Sequence, residues 1–311
     1  MNPDPTSDDD DAPLAASPTW FRGPLEAYRR AISDLVDLTN VTRTALMGAK
    51  AQVGLVEALN KIDAEFDKKF DEETRALKLS RAVEQAKVAQ SEISSGFRIL
   101  HSNAVVLLWA YLETLVDDLL LATIINNPEF HTLADWGGIR APVAEFSILP
   151  KEEQALFLAS AATQHLRQRT SAGNAQIETI LEFAGLGGAR PEGLDSGLYL
   201  MNKVRNLIAH RAGVVDAKFV RECPQVEAAV GTRLTIGTHT FSTCALIAIQ
   251  YHQEVRSRCE IAYQLSDPIK AEVVGPFDLC SALNTDSRRI AAGDLSLHGR
   301  LDVTPSDEST G

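Results

Sequence analysis

The chain has 311 residues, enough for one large or two small domains, and it is 45% hydrophobic but only 6% aromatic, so any core it builds is aliphatic. Its formal charge of −12 argues against a broadly basic nucleic-acid surface. The excess, however, sits at the ends: residues 1–15 hold five Asp and no base, residues 302–311 hold Asp302, Asp307 and Glu308, and between them 34 acids meet 30 bases. A nearly neutral body of this kind leaves room for a small, local phosphate site. Cys223, Cys244, Cys259 and Cys280 form no CxxC pair, which speaks against a zinc site, and a long chain this poor in cysteine does not use a disulfide framework. The sequence therefore predicts ordinary thiols in a reducing cytoplasm, with neither metal nor cofactor.

Residues 1–18, acidic and rich in Pro and small side chains, read as a disordered tail. From Trp20 to about Asn40 the apolar residues Tyr28, Ile32, Leu35, Val36 and Leu38 recur near the helical period. A charge-laced stretch over roughly 42–98 follows. In it Leu55, Leu59, Ile62, Phe66 and Phe70 lie three or four apart and predict one apolar stripe on an amphipathic helix. A break is expected near Ser94–Gly96.

Beyond the break, "AVVLLWAYLETLVDDLLLATII" is the most apolar run, but Glu113, Asp117 and Asp118 interrupt it. It reads as a buried bundle helix rather than a membrane span. Pro and Gly punctuate 126–150 as a connection. Helices are then predicted for "KEEQALFLASAATQHLRQRT" and for "NAQIETILEFAGLG", the latter stopping at Gly185–Gly188. The next helix, in "GLDSGLYLMNKVRNLIAHRAG", is expected to be capped by Asp195 or Ser196 and ended by Gly213, with Leu200, Val204, Leu207 and Ile208 as its stripe. "GTRLTIGTHTFS" alternates apolar and polar residues and predicts a small β-hairpin around Gly237. A last core helix follows, carried by Leu246, Ile249, Val255 and Ile261.

The fold expected is an all-α helical bundle with that minor hairpin. Its parts are a tail at 1–18, a helical N-terminal extension at 19–79, a helical domain at 80–265 and a loosely ordered C-terminal tail at 266–311.

Within "KVRNLIAHRAG" an Arg, an Asn, a His and another Arg fall inside seven residues of an apolar helix. Asn206 and His210 are four apart and share a face. Arg205, five before His210, lies about 140° round the helix and flanks that face. Arg211 adds positive potential. A guanidinium fork binds phosphate bidentately, and an imidazole moves protons near neutral pH. An RNA 2′-hydroxyl can supply the nucleophile, so this set suits a phosphodiester without a metal. The same cluster could equally cap carbonyls at a helix end and hold water. Glu113 likewise could belong to a solvated stripe with Asp117, or could need a cationic partner if buried. His101, His131, His165, His239, His252 and His298 show no metal-ligand spacing and read as structural or exposed.

The Arg–polar–x(3)–His pattern "RNLIAHR", near the end of an apolar helix in an all-α chain, resembles the HEPN superfamily. The upstream helix "VLLWAYLETLVDDLL" with its internal Glu is similar to the early helix of HEPN domains of the RiboL-PSP type. The resemblance spans roughly residues 80–265. It implies a metal-independent endoribonuclease acting on RNA, homodimeric, with a toxin–antitoxin or phage-defence role and a regulatory partner such as an antitoxin. It implies Arg205 on phosphate with Arg211 beside it, His210 in proton transfer, Asn206 orienting them and Glu113 positioning Arg205. It also admits a catalytically silent member that dimerises or binds a nucleotide or a partner.

Overall fold

The computed structural model describes residues 19–293 apart from 68, 128, 134–135, 141–145, 171–172 and 264–277. The tail expected at 1–18 lies outside the described residues. Those residues form helices joined by loops: α1 (Arg22–Ile62), α2 (Glu72–Ser94), α3 (Arg98–Asn126), α4 (Phe130–Leu133), α5 (Lys151–Arg169), α6 (Asn174–Phe183), α7 (Glu192–Arg211), α8 (Ala217–Glu222), α9 (Thr238–Ala262) and α10 (Leu279–Ala291).

α3 is the axis of the bundle. Leu108, Leu112, Leu119 and Leu120 are fully buried, Trp109 nearly so, and the helix packs against α1, α5, α6, α7 and α9. So apolar a run is buried over most of its circumference by these neighbours, while Ile99, Asn103, Leu107 and Thr114 keep one narrow stripe exposed. The expected break is a sharp turn with left-handed backbone at Gly96 (φ 71°) and Phe97 (φ 60°). The Glu92 carboxylate then accepts from the Ile99 and Leu100 amides at 2.6 and 3.0 Å, capping α3 from the end of α2.

α1 runs unbroken for 41 residues, roughly 60 Å at the α-helical rise. Its first half docks on the body through Leu25, Tyr28, Ile32, Leu35 and Val36. Its second half forms a hairpin with α2. The inward positions of α1 are Leu46, Ala49, Val53, Val56 and Asn60, and those of α2 are Leu79, Ala82, Ala86, Ala89 and Ile93. Both series alternate steps of three and four, the spacing of a coiled-coil seam. The tip is tied by polar groups: Asp63 accepts from the Lys69 amide at 3.0 Å and pairs with Arg75 at 2.9 Å, and Asp71 caps α2 by accepting from the Thr74 amide at 2.7 Å.

Several expectations need correcting. The stripe Leu55, Leu59, Ile62, Phe66 and Phe70 is not the packed face of the hairpin, because all five are exposed. Leu38, Leu246 and Ile261 are exposed too; α9 buries Val255 as expected, with Ile247, Tyr251 and Cys259 beside it. α7 begins at Glu192, ahead of both Asp195 and Ser196. The hairpin around Gly237 is not formed, for the described residues contain no strand, only the isolated antiparallel bridge Val214–Arg233. The alternating segment pairs with the chain leaving α7 rather than with itself: Val215 N–H donates to Thr232 C=O and Leu234 N–H to Gly213 C=O, each at 2.8 Å. Leu234 and Ile236 both enter the core, and Gly237 starts α9.

The C-terminal tail is not loose throughout. Over 279–291 it forms α10, which buries Leu279 and Leu283. The buried Asp286 carboxylate accepts from the Thr240 amide at 2.8 Å and the Thr240 hydroxyl at 2.7 Å, capping α9 from another helix. A side chain at Gly237 would collide with that carboxylate.

Candidate functional site

The polar cluster sits on the last three turns of α7. Leu194, Leu198, Met201, Val204 and Leu207 hold one side of this helix in the core and leave the other to solvent. The helix ends where Ala212 (φ 51°) and Gly213 (φ 78°) turn left-handed. Two further helices, α3 and α8, complete the surroundings.

Arg205 and Glu113 come together across α3 and α7: the guanidinium Nη2 lies 3.4 Å from Glu113 Oε2. The second oxygen, Glu113 Oε1, accepts from the Trp109 indole N–H at 2.9 Å. Glu113 is thus held by a buried ring one turn earlier on its own helix, and both partners remain partly exposed. Arg205 Nη1 donates to Asn206 Oδ1 at 3.0 Å, and the Asn206 amide donates to Asn202 Oδ1 at 3.0 Å. Arg205 Nε is buried and has no hydrogen-bond partner among the described residues.

Asn202, Asn206 and His210 follow one another at four-residue intervals and make a polar ladder along α7. Asn202 is 5% exposed and seated against Gly173, whose missing side chain leaves it room. His210 is exposed, four residues beyond Asn206 in the last turn of α7. Its imidazole makes no hydrogen bond or ion pair with the other described residues. Arg211 turns elsewhere and pairs with Asp216 at 3.7 Å, while Asp216 also caps α8 by accepting from the Phe219 amide at 2.8 Å. Lys203 bonds to Glu222 at 2.8 Å and fastens α7 to α8.

The remaining acids of α3 differ from Glu113. Asp117 faces α5, where Arg167 pairs with it at 3.0 Å and the Thr163 hydroxyl donates at 3.4 Å. Burial raises the Asp117 carboxyl above its usual value, with Arg167 opposing the shift. Burial raises Asp118 as well. Glu113 and Asp117 are therefore two separate ion pairs, one to α7 and one to α5, rather than one solvated stripe.

Three members of this site escape a sequence reading: Trp109, Asn202 and Asp216. The first two stand four residues from Glu113 and Asn206, a spacing visible in the sequence but uninformative until the helix faces are known. As an assembly, the cluster offers a partly exposed guanidinium with donors to spare, fixed by one carboxylate and one amide, and an unencumbered imidazole on the same exposed helix end. Such a set can bind an anion and exchange a proton beside it.

Comparison with protein-family models, with curated proteins and with solved structures finds no match for this chain. Among the described residues no helix is long and apolar enough to cross a membrane.

Proposed function

We propose that the chain is a metal-independent endoribonuclease of HEPN type, working in toxin–antitoxin or phage-defence biology. The observation that carries this reading is Arg205 held between Glu113 and Asn206, with the exposed His210 one turn past Asn206. Arg205 binds the scissile phosphate and offsets the charge that develops on its oxygens. His210 takes the proton from the RNA 2′-hydroxyl. The 2′-oxygen then bonds to phosphorus as the bond to the 5′-oxygen breaks, and that oxygen leaves with a proton delivered by an imidazolium or by water. Glu113 orients Arg205 and Asn206 links it to the α7 ladder, while Arg211, expected beside the phosphate, is matched by Asp216 and contributes little attraction. As in the family it resembles, the chain acts as a homodimer and takes RNA, with an antitoxin as a regulatory partner.

The test is cleavage of a structured RNA by purified protein in EDTA, compared with His210→Ala and Arg205→Ala. Either substitution is expected to lower the rate at least ~100-fold, the usual weight of a proton-transfer or oxyanion group. Equal cutting by wild type and variants overturns the reading, as does a wild type that is inert towards RNA.

A second reading is a catalytically silent module of the same fold that binds a nucleotide or a partner. The contact between Arg205 and Glu113 favours it, because a guanidinium already matched by a carboxylate attracts phosphate less. Retained nucleotide or RNA binding without cleavage would select this second reading.

A further inference from the structure

The chain carries 42 acids in 311 residues, yet none stands between Glu153 and Glu178, a stretch that holds the end of α5 with His165, Arg167 and Arg169. A second acid-free stretch, between Asp195 and Asp216, holds the end of α7 with Arg205. The fold brings these two helix ends to one face. Arg205 pairs with Glu113 and Arg167 with Asp117, and the two acids stand one turn apart on α3, about 6 Å by the helical rise. The four side chains keep between 24% and 41% of their surface open, so the two pairs form one accessible surface. The basic face continues past Arg167. Arg169 Nη1 donates to His165 Nε2 at 3.3 Å. The His165 ring sits against Gly138, where a Cβ would lie 2.8 Å from it. Gly138 lies in the turn that the Ile139 amide closes onto Trp136 C=O at 3.1 Å, and Arg140 follows this turn. Arg140 and Arg169 are exposed and have no carboxylate partner among the described residues. Asp117 engages Arg167 through Nη2 alone, which leaves Nε and Nη1 open. Beside them the exposed His131 ring stacks on Trp136, with centroids 6.0 Å apart and planes 18° from parallel.

We infer that this face is a track for single-stranded RNA, and that it sets which RNA the Arg205 site accepts. The strand with one phosphate on Arg205 runs on across the end of α5, with its next phosphates on Arg167 and then on Arg169 and Arg140. The inference rests on the reading that Arg205 takes a phosphate of RNA. Exposed guanidinium groups hold phosphates without reading sequence, so the track positions the strand rather than choosing its bases. Two features favour a single strand over a duplex. The anchors of Arg205 and Arg167 are one helical turn apart, a step that successive phosphates of one strand can follow. The flat His131 ring beside the track can stack an unpaired base, whereas a duplex keeps its bases inside its own stack. The net charge of −12 repels nucleic acid from the rest of the surface, so an acid-free island confines binding to this face.

Fluorescence anisotropy of a labelled single-stranded RNA of about 12 nucleotides reads the outcome. The full chain carrying His210→Ala is the parent, so that the RNA stays intact while bound. Adding Arg140→Gln/Arg169→Gln is expected to raise Kd on the order of 30-fold near ~50 mM salt. The slope of log K against log salt should fall by about 1.4, the share of two phosphate contacts on a single strand. Lys50→Gln/Lys61→Gln removes the same charge from the exposed surface of α1 and is expected to leave Kd unchanged. A blunt RNA duplex of the same sequence is expected to bind about ten-fold more weakly. Equal weakening by the two pairs of substitutions overturns the inference, as does no weakening by Arg140→Gln/Arg169→Gln. So does a duplex held as tightly as the single strand, or RNA that does not bind at all. The ribonuclease reading is judged separately. If wild type cuts RNA in EDTA while the Arg140→Gln/Arg169→Gln chain binds as well as its parent, the reading stands and the track falls. If binding follows the expected pattern without cleavage, the track stands and the ribonuclease falls.

Discussion

α2 and α3 are consecutive helices of 23 and 29 residues, yet they live in different environments. α3 buries twelve residues and touches most of the bundle, while α2 buries only Ala82, Ala89 and Ile93 against a single partner. The body is stabilised by the apolar area that α3 and the helices packed on it remove from water. The hairpin depends on a thin alanine-rich seam and a few polar ties at its tip. A helix of about 20 residues can thus be either the most or the least secured part of one molecule, and the number of its neighbours decides which.

The largest effect expected at a single residue tests the body. Glu178 is 8% exposed; Tyr251 donates to it at 2.6 Å and Arg258 at 2.8 Å, and Arg190 pairs with it at 2.9 Å. Glu178→Ala strands the buried Tyr251 hydroxyl and takes one carboxylate from each cation, leaving Arg258 only Glu254 at 2.9 Å and Arg190 only Asp195 at 2.6 Å, and is expected to cost about 4 kcal/mol of unfolding free energy in a urea titration. A loss below ~1 kcal/mol would show that water already serves these groups.

Mild acid, between pH 6.5 and 4, comes next and again strikes the body. His101 is fully buried, stacked on Phe241, and burial, together with the nearby Arg43 charge, holds its pKa down at about 4. Burial likewise holds His252 at about 4, although its Nε2 lies 3.1 Å from Leu25 C=O. Both values lie below the ordinary 6.5, so the unfolded chain takes up protons that the folded chain refuses. Their contribution is complete above pH 6.5, is lost between 6.5 and 4, and changes no further below that. Each site is expected to withdraw about 3 kcal/mol across this window. Urea titrations at pH 7 and pH 4.5 measure it, and His101→Phe should flatten the slope.

The smallest effect sets the two regions side by side. Leu119→Ala, at a fully buried position of α3, is expected to cost about 3 kcal/mol. Val56→Ala, in the half-exposed seam between α1 and α2, should cost about 1 kcal/mol. Differential scanning calorimetry of the two variants checks the contrast. Equal losses would mean that the hairpin is secured as well as the body, and the contrast would then fail.

Much of the helical plan was legible. The apolar period marked α3, α5, α6 and α7, and the break at Ser94–Gly96 was visible because small residues and Gly end helices there. In the candidate site, the shared face of Asn206 and His210 follows from their spacing alone. The partner of Glu113 does not, since 92 residues separate it from Arg205. Nor could composition distinguish one ion pair per acid from a wet stripe on α3.

What the sequence by itself determined was local: helix against loop, the turn residues, and which side chains share a helical face, because these depend on periods of a few residues. The tertiary structure alone decided which of two heptad stripes on α1 meets α2. It alone turned an alternating segment away from a hairpin and onto the end of α7. It also made a nondescript C-terminal stretch into α10 by giving Asp286 the open end of α9 to cap. In each case the deciding contact lies far along the chain, and the energy of burying a face or pairing a polar group depends on what stands opposite.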